Sequence, residues 1–156
     1  LTKFDVKQID FVSAKNYLPE GGLVQYIEKH GIKVGVDDNL ESYLRKNGDN
    51  VDAIYMTRLQ QEWDKGGGQP TAKGDELGTE DAFVLKSEFR SMVRDDCVLM
   101  HPLPRVNELP ESWEDHSGFV VWRQVRNGMW MRAALFAAIH GADQEIRARA
   151  MRLGLV

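Results

Sequence analysis

Short apolar segments alternate with helix-length segments over the first two thirds of this chain, and this rhythm most constrains its fold. β-branched and aromatic residues predict strands at Gln8–Ser13, Ile32–Val36, Val51–Met56 and Cys97–Met100. Helical spacing of apolar residues predicts helices at Pro19–His30, Asp38–Lys46 and near Ser87–Val93. Strands separated by helices indicate an α/β fold, in which a parallel sheet is flanked by helices in a Rossmann-like arrangement.

Local sequence also predicts where these helices begin and end. Gly31 is expected to stop the first helix, because glycine readily adopts the left-handed conformation that follows a helix. Asp38 or Asn39 could cap the second helix, and Gly48 could end it. Ser87 is the expected N-cap of the third helix.

The segment Gly128–Ile139 is apolar almost all round, a pattern typical of a helix that is buried on every side. Arg132 is its only charge, and an unpaired buried charge is very costly. We therefore expect Arg132 to have a buried partner, and Glu108 is the candidate. Trp122 and Trp130 are expected to pack in the core. The tail Asp143–Leu153 is predicted to be an amphipathic helix.

Composition excludes several classes of protein. With 156 residues, 42% of them hydrophobic, residues 1–156 are expected to form one globular domain. The net charge of −4 and the scattered basic residues argue against a nucleic-acid partner, and no apolar run is long enough to predict a membrane span. The single cysteine, Cys97, is expected to be a small core residue and fits a reducing, cytoplasmic compartment. The N-terminus has no signal-peptide pattern, and because it starts at Leu1 rather than Met, we expect a piece of something longer.

Ligands of open α/β sheets bind outside the carboxyl ends of the strands, and this rule points first to the segment after the third strand. In an extended chain, Arg58 and Gln60 point to the same side. A guanidinium group and a neutral amide together suit a small carboxylate ligand. The alternative is that Arg58 is a solvated loop residue paired with a nearby carboxylate.

The same rule points to His101-Pro102-Leu103-Pro104-Arg105, which directly follows the fourth predicted strand. The prolines stiffen this backbone and favour carbonyl groups that face a ligand. His101 could donate a hydrogen bond or act as an acid or base. The alternative is a rigid turn in which His101 is satisfied by its own backbone.

Metal and phosphate-loop chemistry are not indicated by the sequence. The histidines are far apart and lack metal-ligand spacing: His30, His101, His116 and His140. Gly66-Gly67-Gly68 lies in a polar segment with no helix behind it, so it is not a phosphate loop, and a nucleotide-binding domain is disfavoured. We expect neither a metal nor a cofactor.

Motifs in a fixed order carry a resemblance to a known family. They are Thr57-Arg58-Leu59-Gln60-Gln61-Glu62, His101-Pro102-Leu103-Pro104-Arg105-Val106-Asn107-Glu108, Arg123-Gln124-Val125-Arg126-Asn127-Gly128 and Arg132-Ala133-Ala134-Leu135. Together they resemble the second, aspartate-binding domain of aspartate carbamoyltransferases, most clearly over Val51–Ala138. The sister family that carbamoylates ornithine has a cysteine where this chain has Pro102, which favours aspartate.

The resemblance implies an activity: transfer of a carbamoyl group from carbamoyl phosphate to L-aspartate in de novo pyrimidine (UMP) biosynthesis, without a cofactor. Arg58 and Gln60 would bind the carboxylates of aspartate. The Leu103 and Pro104 backbone would contact carbamoyl phosphate, and the carbonyls of Pro102 and Leu103 would orient the attacking amine. The implied site residues are His101 and Pro102 as catalytic residues and Arg58, Gln60, Leu103, Pro104 and Arg105 as substrate-binding residues.

Departures from the family pattern limit these expectations. Trp63 stands where many relatives have arginine, Asn107 where many have aspartate, and the loop Trp63–Asp81 is unusually long and glycine-rich. The family's first domain, with its Ser-Thr-Arg-Thr phosphate loop, is not found in the sequence. We therefore expect a domain incomplete at its N-terminus, inactive alone, with an exposed apolar helix that would pack on the first domain. The family implies a homotrimer; the competing hypothesis is a non-catalytic carbamoyltransferase-like domain with a binding or assembly role.

Overall fold

The computed structural model describes residues 1–14, 17–58 and 80–155. The strands are β1 (Gln8–Val12), β2 (Lys33–Asp37), β3 (Ala53–Tyr55) and β4 (Val98–Met100). The α-helices are α1 (Gly21–Lys29), α2 (Leu40–Asn47), α3 (Val121–Ile139) and α4 (Asp143–Arg152). Short 3-10 helices lie at Gly48–Asn50, Glu80–Phe83, Ser87–Met92 and Glu111–Trp113. The predicted α/β fold is confirmed, although most of the strands are shorter than the apolar segments that predicted them.

Within the described ranges the strands form two parallel pairs. β1 pairs with β2, with Gln8 opposite Lys33, and β3 pairs with β4, with Tyr55 opposite Met100. Parallel pairing places the carboxyl ends of β3 and β4 at the same edge. The crossover between β1 and β2 contains α1, as the sequence predicted, and the described part of the crossover between β3 and β4 contains 3-10 helices.

The ends of the first two helices follow the local sequence. Gly31 has φ +79° and stops α1 in the left-handed region, where a residue with a Cβ would be strained. The Asn39 side chain accepts a hydrogen bond from the backbone N–H of Ser42 at 2.8 Å, so Asn39 rather than Asp38 caps α2. Gly48 is the C-cap of α2, as predicted.

The prediction of Ser87 as an N-cap is wrong. The segment Ser87–Met92 is a 3-10 helix, its N-cap is Lys86, and no side chain caps it. The Ser87 hydroxyl instead forms a 2.5 Å hydrogen bond with the hydroxyl of Ser112. Because the Ser87 hydroxyl bonds a distant side chain, it does not accept a hydrogen bond from the first N–H groups of the helix, which explains the failed prediction.

The chain divides into two compact units, Leu1–Phe119 and Val120–Val156. The first contains nearly all of the fully buried side chains, including Leu85, Leu99 and Trp113. The Trp113 indole N–H donates to the carbonyl of Leu85 at 2.6 Å, which satisfies its polar group inside this core. Cys97 is fully buried, as predicted, and burial raises the pKa of its thiol to about 11.

The second unit consists of α3 and α4, and its large side chains are exposed. Trp122 is 56% exposed and Trp130 63%, so the prediction that both pack in the core is wrong. The pattern of Gly128–Ile139 alone predicted burial on all sides, whereas this helix is exposed along its length, the outcome that the resemblance implied. Among the described residues, no helix is both long and apolar enough to cross a membrane.

Arg132 does not have the buried environment that its sequence suggested. Its side chain is exposed, so its charge needs no buried partner. Glu108, the predicted partner, accepts hydrogen bonds from His101 and Val106 instead. The predicted Arg132–Glu108 pair is therefore wrong, because it assumed that the whole of this helix is buried.

Candidate functional site

The two segments that sequence analysis selected leave neighbouring parallel strands side by side. Beyond the end of β3, the Met56 N–H donates to the carbonyl of Met100 at 2.9 Å, which extends the pairing to the last residue of β4. Thr57 and His101 are the next residues of their segments. The fold thus brings together the two stretches that the strand-end rule singled out.

On the β3 side, the described part of the candidate site ends at Arg58. Thr57 is exposed and Arg58 is partly buried. Gln60, the predicted partner of Arg58 in binding aspartate, lies outside the described residues, as do Gly66-Gly67-Gly68 and all but the last two residues of the loop Trp63–Asp81. The role of Gln60 stays a prediction.

On the β4 side, His101 is fully buried and both of its ring nitrogens are engaged. The backbone N–H of Leu103 donates to Nδ1 at 2.9 Å, so Nδ1 must be an unprotonated acceptor. Nε2 lies 2.7 Å from Oε1 of Glu108 and carries the proton that this hydrogen bond needs. The geometry therefore selects one neutral tautomer, with hydrogen on Nε2. These contacts match the alternative of a rigid turn more closely than they match an acid or base that meets solvent.

Glu108 is the residue that sequence analysis assigned to the wrong partner. It is 8% exposed, and its Oε1 accepts from Val106 N–H at 3.1 Å as well as from His101. Burial alone would raise the pKa of Glu108, but the hydrogen bonds from backbone N–H groups and from His101 outweigh burial and hold the pKa below its usual range. The carboxylate is therefore ionised at neutral pH.

Between His101 and Glu108, an irregular turn is formed by Pro102, Leu103 and Pro104. Leu103 has φ +56°, and its peptide bond to Pro104 is cis. Both prolines are exposed. Across residues 1–14, 17–58 and 80–155, no N–H or O–H group donates to the carbonyl oxygen of Pro102, Leu103 or Pro104. These carbonyl oxygens are therefore available as hydrogen-bond acceptors for a ligand that carries an amide or amine N–H group.

Arg105 ends this turn and is held by the protein. Its guanidinium donates to Glu114 and lies 5.9 Å from the centre of the Phe119 ring. Both contacts belong to the first unit, and the side chain is 14% exposed. The predicted contact between Arg105 and substrate stays a prediction, and the structure adds a role in holding the end of the turn.

A second histidine in the same unit repeats the local pattern of His101. His116 Nδ1 accepts from the N–H of Gly118 at 3.0 Å, and its Nε2 lies 3.1 Å from the carbonyl oxygen of Arg94. A Cβ on Gly118 would lie 1.8 Å from the carbonyl oxygen of Cys97, so only glycine fits this turn. Among the described residues, no group of three or more His, Cys, Asp or Glu side chains is placed to bind a metal ion.

Comparison with known proteins agrees with this architecture. The family model described as "Aspartate/ornithine carbamoyltransferase, Asp/Orn binding domain" matches residues 1–139. The aspartate carbamoyltransferase catalytic subunit of Clostridium novyi (strain NT) is 27% identical over 143 residues, which cover 92% of this chain and 44% of that protein. The corresponding subunit of Clostridium botulinum (strain Alaska E43 / Type E3) is 31% identical over 117 residues, 75% of this chain and 35% of that protein.

The fold is shared with solved structures. Aspartate transcarbamoylase from Trypanosoma cruzi, crystallised in complex with carbamoyl phosphate and aspartate, matches with a TM-score of 0.68 at 22% identity, over 85% of this chain and 41% of that one. The chain thus spans less than half the length of these curated relatives and of this structure. The resemblance found in the sequence is confirmed: the chain belongs to the aspartate/ornithine carbamoyltransferase family and corresponds to its aspartate- or ornithine-binding domain.

Proposed function

We propose that this chain, as a domain spanning residues 1–156, supplies the amino-acid-binding part of an aspartate carbamoyltransferase. The enzyme would transfer a carbamoyl group from carbamoyl phosphate to L-aspartate, in de novo pyrimidine (UMP) biosynthesis. The observation that carries the proposal is the placement of Arg58 and the His101–Arg105 turn at the ends of two neighbouring parallel strands. Family membership supports the same reaction class.

The β3 side is proposed to bind L-aspartate. Arg58 would bind a carboxylate of the substrate, because a guanidinium group offers two parallel N–H donors that match the two carboxylate oxygens. Gln60 would add a neutral donor to the same substrate. The absence of cysteine at position 102, which is Pro102, favours aspartate over ornithine.

The β4 side is proposed to bind carbamoyl phosphate and to orient the attacking amine. The carbonyls of Pro102 and Leu103, which have no donor among the described residues, would accept hydrogen bonds from the amine, and the Leu103 and Pro104 backbone would contact the carbamoyl group. The aspartate nitrogen would form a bond to the carbamoyl carbon, the carbon–oxygen bond to phosphate would break, and phosphate would leave with the amine proton. Positioning and oxyanion stabilisation account for most of the rate in such a transfer.

Assembly completes this proposal. We propose that the chain is inactive alone and works with a carbamoyl-phosphate-binding domain, as part of a cytoplasmic homotrimer. The exposed apolar side chains of α3 support a further packing partner for the second unit. A non-catalytic carbamoyltransferase-like domain is the second candidate, favoured by Trp63 and Asn107 at positions where many relatives have charged residues.

Titration of the chain with L-aspartate and with N-(phosphonacetyl)-L-aspartate, by isothermal calorimetry, tests the proposal. We expect Arg58→Ala to weaken binding of the bisubstrate analogue at least about tenfold, because charge-assisted hydrogen bonds contribute about 1.5–3 kcal/mol. Arg45→Ala is the matched control, since Arg45 pairs with Glu41 on the exposed face of α2. Equal binding by both variants and the wild type, or no binding even when a carbamoyl-phosphate-binding domain is supplied, would favour the non-catalytic alternative. Full activity of this chain without another polypeptide would refute the claim that it is inactive alone.

A further inference from the structure

Two buried residues, His101 and Glu108, form hydrogen bonds to the backbone of the turn that carries the carbonyls of Pro102 and Leu103. His101 Nδ1 accepts from Leu103 N–H at 2.9 Å, and Glu108 Oε1 accepts from Val106 N–H at 3.1 Å. His101 and Glu108 are joined to each other at 2.7 Å. Together they fix the backbone N–H groups on both sides of Pro104.

The ionisation state of Glu108 determines which ring nitrogen of His101 carries the proton. A carboxylate only accepts hydrogen bonds, so an ionised Glu108 keeps the His101 proton on Nε2. With that proton in place, Nδ1 is free to accept from Leu103 N–H. The low pKa of Glu108 maintains this arrangement at neutral pH.

We propose that His101 and Glu108 are positioning residues, which hold the carbonyls of Pro102 and Leu103 in the orientation that binds ligand without touching the ligand themselves. This inference rests on the proposed function. It replaces an acid–base role for His101 with an indirect one, because a fully buried ring with both nitrogens engaged does not meet a substrate. It also gives Glu108 a role at the candidate site.

Loss of the Glu108 carboxylate would remove the hydrogen bonds that it accepts from His101 and from Val106 N–H. His101 would lose the acceptor that sets its tautomer, and Val106 N–H would lose its partner. A displacement of about 1 Å in a substrate-positioning group can cost up to about a hundredfold in rate. Glu108→Gln is the conservative variant, because an amide oxygen can still accept from His101 and Val106.

The test uses the full 156-residue chain and combines nuclear magnetic resonance with calorimetric titration of N-(phosphonacetyl)-L-aspartate. In the wild type, imidazole ¹⁵N shifts should show His101 with its proton on Nε2, and the amides of Leu103 and Val106 should be protected from exchange. Glu108→Ala should lose this protection and weaken binding of the analogue about tenfold or more. Glu108→Gln should stay within about threefold of wild type, and His116→Ala should bind the analogue with unchanged affinity, since His116 makes the same local hydrogen bond in another turn.

Each result separates the two proposals. A His101 proton on Nδ1 in the wild type overturns the positioning role even if Glu108→Ala fails to fold. Unchanged affinity in folded Glu108→Ala also overturns it while leaving the proposed function intact. Protected Leu103 and Val106 amides in a wild-type chain that binds the analogue neither alone nor with a carbamoyl-phosphate-binding domain supplied would overturn the proposed function while still supporting the hydrogen-bonded turn. A merely structural role predicts that Glu108→Ala and His116→Ala lower stability without changing the affinity of folded protein.

Discussion

His101 and His116 form matching turns in the same unit but end on different acceptors. In each turn, Nδ1 accepts from the backbone N–H two residues later, at 2.9 Å for His101 and 3.0 Å for His116. The Nε2 of His101 meets the Glu108 carboxylate at 2.7 Å, whereas the Nε2 of His116 meets the Arg94 carbonyl at 3.1 Å. Hydrogen bonds to ionised acceptors are shorter and stronger than those between neutral groups.

This difference teaches that the same local motif can serve two purposes. The carbonyl acceptor of His116 belongs to the backbone, so its turn depends only on the fold around it. The carboxylate acceptor of His101 is a side chain that titrates and can be replaced, so its turn depends on one residue. The stronger hydrogen bond, and the one that a single substitution can remove, is the His101–Glu108 bond in the turn that carries the carbonyls of Pro102 and Leu103.

The largest expected effect on stability comes from removing the charged acceptor. Glu108→Ala should lower the free energy of unfolding by about 3 kcal/mol, because it removes the carboxylate that accepts from Nε2 of the fully buried His101 and from Val106 N–H. Urea denaturation followed by circular dichroism measures the change. Glu108→Gln, which keeps an acceptor oxygen, should lose only about 1 kcal/mol; equal losses in the two variants would show that the acceptor oxygen itself matters little.

A smaller loss is expected in the turn with the neutral acceptor. His116→Ala should lower the free energy of unfolding by about 2 kcal/mol, since it removes two hydrogen bonds between neutral groups. His116→Asn should recover part of this loss, because its amide oxygen can accept from Gly118 N–H. If denaturation shows a larger loss for His116→Ala than for Glu108→Ala, the ranking of the two anchors by acceptor charge is wrong.

The smallest expected effect is on how the stabilities of wild type and Glu108→Gln differ as the pH falls. A pKa below the usual value means that ionised Glu108 stabilises the folded state fully above its unfolded pKa, near 4.5, and that this stabilisation is lost as the pH falls through the lower, folded pKa. The advantage of wild type over Glu108→Gln, about 1 kcal/mol at neutral pH, should therefore shrink below about pH 4.5. Denaturation midpoints for both proteins between pH 7 and pH 3 measure it; a difference that does not change with pH would contradict the ionised pair.

Much of the fold follows from local sequence. The apolar segments predicted the strands because β-branched residues alternate with helix-forming stretches, and Gly31 and Asn39 marked helix ends through their own backbone and side-chain chemistry. The resemblance carried by the motifs around Arg58 and His101 identified the family. Ser87 failed as a cap because its hydroxyl bonds Ser112, which is 25 residues away along the chain.

Contacts within the candidate site could be predicted only in part. The strand-end rule placed Arg58 and His101 at one edge, and the parallel register of β3 and β4 confirms that placement. It did not predict that Glu108 would bond to His101, because seven residues with prolines between them can be arranged in many ways. The predicted partner, Arg132, was chosen from the apolar character of its helix, which shows that a helix needs a packing surface but not where that surface is.

By itself, the sequence determined the element types, the family and the two segments that meet at the site, because these depend on residue periodicity and on motifs that are local in the chain. Only the tertiary structure decided that His101 is fully buried and bonded to Glu108, and that the carbonyls of Pro102 and Leu103 have no donor among the described residues. Burial and hydrogen-bond partners depend on what distant segments bring to one place, and a one-dimensional pattern does not contain that information.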